Sequence, residues 1–220
     1  MRVKVCGICR PEDAALAAAA GADYVGVILA PGFRRSRSAA EARAIYAAAG
    51  TCLRAGVFVD GSLAEMAALR DDLALDVVQL SGSETPAAGT ALRAGRARVW
   101  KALRPVSPAA LLAEAAAWVG AADALLLDAS GAGGSGARFD WEAVAAVRSE
   151  LPRELELVVA GGLNPANVAR AIGLLRPAVV DVSSGVEAAL GEKSPAAVRA
   201  FVTAARVAAL GADPVNVQES

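Results

Sequence analysis

The sequence predicts an α/β protein, and three observations carry that expectation. Short β-branched runs alternate with longer Ala/Leu-rich stretches along the 220 residues, eight of each. The short runs are apolar throughout instead of at every second position, as strands buried on both faces of a parallel sheet must be. No Pro/Gly/Ser-rich linker divides the chain, so one core is expected. Eight strand–helix units close into a single-domain (β/α)8 TIM barrel with eight parallel strands. An open doubly wound sheet is the alternative. The barrel is expected to take residues 1–210, with 211–220 as a loose C-terminal tail.

In chain order, the strands are expected at 3–6, 24–29, 55–59, 77–80, 99–103, 125–128, 157–160 and 179–182. Each is a short run such as VKVC, YVGVIL or VVDV. The helices are expected at 11–20, 39–49, 63–70, 86–94, 108–118, 141–149, 165–174 and 195–210. Several of them open on a proline after a polar residue, as NPANV and SPAAV do. Proline is tolerated in a first helical turn because the N–H it lacks would have had no partner there.

Composition excludes several classes. The 22 basic and 23 acidic residues interleave to a net charge of −1, with no run of like charge, so no nucleic-acid partner is expected. Asp13, Asp23, Glu114 and Asp123 interrupt the apolar stretches before a span of about 20 residues forms, so no membrane crossing is expected. Neither a secretory leader nor a disulfide framework is legible, and a reducing cytoplasm is the expected location. Lys4, Lys101 and Lys193 are the only lysines; the excess of arginine reads as compositional bias without functional weight. Histidine is absent, which leaves Cys, Asp, Glu, Arg, Lys or Tyr to run any catalysis. No metal site is expected, and the oligomeric state is not legible.

In a barrel of this kind, chemistry gathers at the C-terminal ends of the strands. Glycine-rich turns at 133–136 and 161–162, with Ser183, Ser184 and Gly185 after the eighth run, let backbone N–H groups approach an anion, and so favour a small phosphorylated substrate. Asp128 ends an apolar run at the rim of a low-dielectric core, where it reads equally as a general acid or as a cap on its own loop. Cys6 stands at the same level on the first strand, either a buried small hydrophobe or a reactive thiol facing that carboxyl group. The spacing CGIC suits a redox pair or a zinc site poorly, because the fold is wrong for one and Cys52 is the only further thiol for the other. Arg34, Arg35 and Arg37 crowd the loop after the second strand, and one of them is expected to grip a substrate carboxylate.

The motifs KVCGI, GADYVGVILAPGFRR, DVVQLSG, LLLD with GGSGARFDW, AGGLNPANV and VDVSSGVE, in this order, resemble those of phosphoribosylanthranilate isomerases. The resemblance implies a cofactor-free Amadori rearrangement, with Asp128 as the general acid that opens the sugar ring and Cys6 as the base at its C2. It also implies that Arg35 meets the anthranilate carboxylate and that Gly134, Ser135, Gly161, Gly162, Ser183 and Ser184 hold the phosphate, with Asp181 near the substrate. Two positions depart from the family pattern: Ser81 stands where a histidine is usual, and Cys9 where threonine is commoner. Other phosphate-binding barrels are rivals, but metal-dependent epimerases need histidine ligands. A binder that has lost the chemistry would have no reason to keep both Cys6 and Asp128.

Overall fold

Eight parallel strands pair in chain order: β1 (Arg2–Val5), β2 (Tyr24–Ile28), β3 (Leu53–Phe58), β4 (Val77–Leu80), β5 (Arg98–Leu103), β6 (Ala124–Asp128), β7 (Glu156–Ala160) and β8 (Val179–Val182). β8 returns to β1, so the sheet closes and has no free edge. The computed structural model of the protein describes residues 1–128 and 141–212. The expected barrel is therefore the observed one, with α1 (Pro11–Ala19), α2 (Ala39–Ala48), α3 (Leu63–Asp72), α4 (Pro86–Arg93), α5 (Pro108–Ala117), α6 (Trp141–Val147), α7 (Val168–Leu175) and α8 (Pro195–Ala212) after the strands. No helix among the described residues is long and apolar enough to cross a membrane.

Two apolar layers follow from the strand period. Inward positions such as Ala55, Val77, Leu126, Val158 and Val179 fill the barrel with Tyr24 and Trp100, whose rings meet edge to face at 5.2 Å. Outward positions such as Val25, Val78, Val99 and Leu125 pack under the helices. The helix starts are capped: Ser38 and Ser62 form capping boxes with Glu41 and Glu65, while Thr85 and Ser107 cap helices that open on proline, as expected for such starts.

Three differences from the sequence reading have local causes. α7 begins at Val168 instead of Pro165, because the side chains of Asn164 and Asn167 accept backbone N–H groups and hold 164–167 in a separate turn. α6 gives way to a 3₁₀ turn at Arg148–Glu150. After β8 the chain makes a small antiparallel hairpin of β9 (Glu187–Ala189) and β10 (Glu192–Lys193), too short to show as a periodic signal.

Register is fixed at the end of the barrel away from the strand C-termini. Asp23, Asp76 and Asp123 immediately precede β2, β4 and β6, and each carboxylate accepts the N–H of a residue on the preceding strand: Val3 at 2.6 Å, and Arg54 and Val99 at 2.7 Å. A slip by one residue would break these bonds and turn every inward side chain outward. Replacing Asp123 with Ala leaves the Val99 N–H without that acceptor and Arg93 without its 2.8 Å partner, at a cost of about 1–3 kcal/mol. The denaturation midpoint should fall with an unchanged m-value, whereas Asp71→Ala on the exposed surface of α3 should stay within about 0.5 kcal/mol of the parent.

Candidate active site

At the C-terminal ends of the strands lies a cavity of about 310 Å³, to which all eight strands or the loops following them contribute. Cys6, Arg35, Asp128, Gly161, Gly162, Asp181, Ser183 and Ser184 all line it, so these residues expected from the sequence are brought together. Gly134 and Ser135 lie outside the described residues.

The floor of the cavity is charged. Lys4 and Asp181 are register partners on β1 and β8, and the Lys4 ammonium donates to Asp181 Oδ2 at 2.9 Å with both side chains buried. Cys6 follows on the same face of β1, and Gly26 on β2 leaves room for it: a Cβ there would stand 2.9 Å from the Cys6 sulfur and 3.0 Å from Lys4 Nζ. Burial pushes the Cys6 thiol above its ordinary range and Asp181 adds to this, while the Lys4 cation opposes it. Burial likewise pushes the Asp181 carboxyl up, against Lys4. Asp181 Oδ1 and Gln79 Oε1 are buried acceptors with no hydrogen-bond partner among the described residues, and both residues line the cavity. Unpaired acceptors of this kind suit a ligand rich in hydroxyl donors.

Asp128, at the end of β6, has a neighbour that the sequence reading did not supply. Arg104, after β5, donates to its Oδ2 at 3.2 Å through Nε and stands 3.1 Å away through Nη2, and also reaches the Ser81 carbonyl. The Ser81 hydroxyl accepts from Gln79 Nε2 at 3.1 Å inside the cavity.

Of the three arginines in the loop after β2, only Arg35 lines the cavity. Arg34 is exposed, and Arg37 ties its loop to the Cys9 carbonyl. The Arg35 guanidinium is already gripped: Nε and Nη2 donate to the two carboxylate oxygens of Glu187 at 2.7 and 2.6 Å. Five N–H donors in a planar fork leave Nη1 and one N–H of Nη2 for another anion, so Glu187 orients the fork without exhausting it. Glu187 also takes the ammonium of Lys193 at 3.2 Å, and Lys193 donates to the Ser183 carbonyl at 3.0 Å. Burial would raise the Glu187 carboxyl, but Arg35 and Lys193 outweigh it and hold it below its ordinary range.

The two cysteines of CGIC part company. The Cys9 thiol faces the Gly7 and Arg35 carbonyls beneath Gly191 and is absent from the cavity wall, and all three cysteines are free. Among the described residues no cluster of His, Cys, Asp or Glu could hold a metal ion. Lys4, Lys193, Glu187 and the Arg104 contact were missed in the sequence. A signal existed, however: in a chain whose cations are nearly all arginine, the three lysines are 0%, 5% and 2% exposed, and each pairs with a carboxylate.

Comparison with known proteins places these features in a family. Residues 3–204 match the family model described as N-(5'-phosphoribosyl)anthranilate (PRA) isomerase. An N-(5'-phosphoribosyl)anthranilate isomerase of Pseudomonas aeruginosa is 41% identical over 212 residues, covering 94% of this chain and 95% of that protein. The phosphoribosyl anthranilate isomerase of Thermus thermophilus is 38% identical with a TM-score of 0.81, covering 96% of this chain and all of that one. A further isomerase, solved in complex with reduced 1-(O-carboxyphenylamino)-1-deoxyribulose 5-phosphate, is 33% identical with a TM-score of 0.82, covering 94% and 99%.

The loops after β7 and β8 meet backbone to backbone. Gly161 and Gly162 have φ of 78° and 66°, and a Cβ on Gly185 would overlap the Leu163 carbonyl oxygen. An anion cradled there should raise the melting temperature as sulfate is added. In Gly185→Ala, where the loops are forced apart, the increment should shrink to the general effect sulfate has on any folded protein. An equal increment in both proteins would move the anion elsewhere.

Proposed function

The chain belongs to the phosphoribosylanthranilate isomerase family, and from that membership we propose which of its residues carry the reaction. The protein is an isomerase of tryptophan biosynthesis that converts N-(5-phosphoribosyl)anthranilate to 1-(2-carboxyphenylamino)-1-deoxyribulose 5-phosphate. The reading of its mechanism rests on one observation, the meeting of Cys6, Asp181 and Asp128 in a single cavity that also holds the paired glycine loops.

The substrate phosphate binds between the loops at Gly161–Gly162 and Ser183–Gly185, and the family pattern adds Gly134 and Ser135 to that site. The remaining N–H groups of Arg35 take the anthranilate carboxylate. Asp128, as the acid, gives its proton to the ring oxygen, and the C1–O bond breaks to leave an iminium. Cys6, as the thiolate, removes the proton from C2; the electron pair forms the C1–C2 double bond of an enolamine, which tautomerises to the ketone. The unpaired Oδ1 of Asp181 accepts a sugar hydroxyl and holds C2 toward the sulfur. Arg104 lines the same cavity and its side chain is 40% exposed, so its ion pair with Asp128 is weakly held and can yield to substrate. A cytoplasmic location belongs to the same reading, since a working thiol persists best in a reducing compartment.

Turnover of freshly prepared substrate, followed by fluorescence, tests the assignment. Asp128→Asn and Cys6→Ala should each lose at least about 10²-fold in kcat while remaining folded, and Cys9→Thr should stay near the parent. Near-normal turnover in either of the first two removes that residue from the chemistry. A Cys9→Thr loss as deep as that of Cys6→Ala would restore the paired-thiol reading.

A further inference from the structure

We propose that Lys4 is a positioning residue for the reaction: its buried ammonium, paired with Asp181 and lying beside Cys6, favours the anionic, proton-accepting form of that sulfur against the burial that opposes it. The inference deepens the reading of Cys6 as the base and rests on it. Lys4 is wholly buried inside the barrel, where an ammonium without partners would be expelled or neutralised. Asp181 answers part of that charge at 2.9 Å. The ammonium and the Cys6 sulfur both reach the space beside Gly26, each within 3.0 Å of where a Cβ would stand, so the absence of a side chain on β2 lets the two lie side by side.

The other charged or titratable groups facing Cys6 do not duplicate this role. Asp181 on β8 is an anion and works against a thiolate. Lys193 on β10 is committed to Glu187 and the Ser183 carbonyl, and Arg35 is gripped by Glu187 on two nitrogens. Tyr46 on α2 donates its hydroxyl to the Ala55 carbonyl, and burial keeps the phenol protonated. Lys4 is thus the cation that a thiolate at this position meets first. Burial leaves the Cys6 thiol above its ordinary range, and Lys4 is the largest influence pulling it back down.

The test uses two readouts that separate the inference from the reading beneath it. In a Cys9→Ser, Cys52→Ala background, the rate of iodoacetamide alkylation against pH reports the ionisation of Cys6 directly. The pH profile of kcat/KM reports the ionisation of the base. Lys4→Met should move both the alkylation midpoint and the ascending limb upward by about 1–3 pH units, the usual influence of a close opposite charge. Activity lost at neutral pH should return at alkaline pH, which a merely structural defect would not allow. Asp181→Asn, which keeps the cation and removes the competing anion, should move the alkylation midpoint downward; if Lys4→Met alone fails to fold, adding it to Asp181→Asn, which leaves no buried charge unpaired, should move the midpoint back up. An unmoved alkylation midpoint in a folded Lys4→Met, or an upward shift in Asp181→Asn, overturns the role of Lys4. A moved alkylation midpoint with a fixed ascending limb upholds the coupling of Lys4 to Cys6 but removes Cys6 as the base.

Discussion

The closure of β8 onto β1 is the constraint from which the rest of the molecule follows. Four register pairs join the first and last strands, and the Cys6 N–H continues the ladder to the Val182 carbonyl at 2.8 Å. The seam also carries the buried Lys4–Asp181 ion pair. Removing two charges from water is expensive, so such a pair is weak evidence for stability; it specifies which residues must face one another. Once Lys4 faces Asp181, Cys6 and Ser183 are fixed at the top of the same two strands. The proposed base and the loop proposed to hold the phosphate are thereby set at a constant distance.

From the seam, order spreads outward through carboxylates. Gly7, with φ of 65°, lets the chain leave β1 where any Cβ would collide with Ser183 Oγ and the Arg35 side chain. The hairpin then folds over this junction. Its Lys193 binds the Ser183 carbonyl and Glu187, its backbone N–H reaches Asp13 on α1, and Glu187 holds Arg35. The loop proposed to cradle the phosphate and the arginine proposed to meet the carboxylate are thus parts of one hydrogen-bonded unit. A ligand with negative charge at both ends meets a surface whose two grips are already positioned, and loses less freedom on binding than if each loop had to be ordered separately.

What was legible in the sequence divides along physical lines. Strand and helix order is written in local patterns, as VVDV and the proline-opened helices show, and local patterns survive reading one residue at a time. Part of the cavity was legible because a barrel assigns chemistry to strand ends, so that finding the end of an apolar run amounted to finding Cys6 and Asp128, whereas Asp181, inside the eighth run, came only from the resemblance to the family. Contacts between elements distant in the chain were not legible: Arg104 on Asp128, Glu187 on Arg35, and Lys4 on a carboxylate 177 residues away. Nor was the hairpin, whose strands of three and two residues hold too little pattern to read. The start of α7 was misread because Asn164 and Asn167 offer the backbone a competing turn, which proline statistics do not reveal.

The burial of all three lysines also bears on how the folded and unfolded chains differ chemically. Lysine amines are the usual targets of acylating reagents and of enzymes that attach acetyl or ubiquitin groups, and here the native surface presents none of them. Arginine supplies the cationic surface without supplying a nucleophilic amine. Acylation at Lys4 requires the barrel to open at its seam, so the label would count molecules that have opened and ignore those that have not. In a cell the same geometry makes lysine-directed tagging selective for chains that have lost their fold.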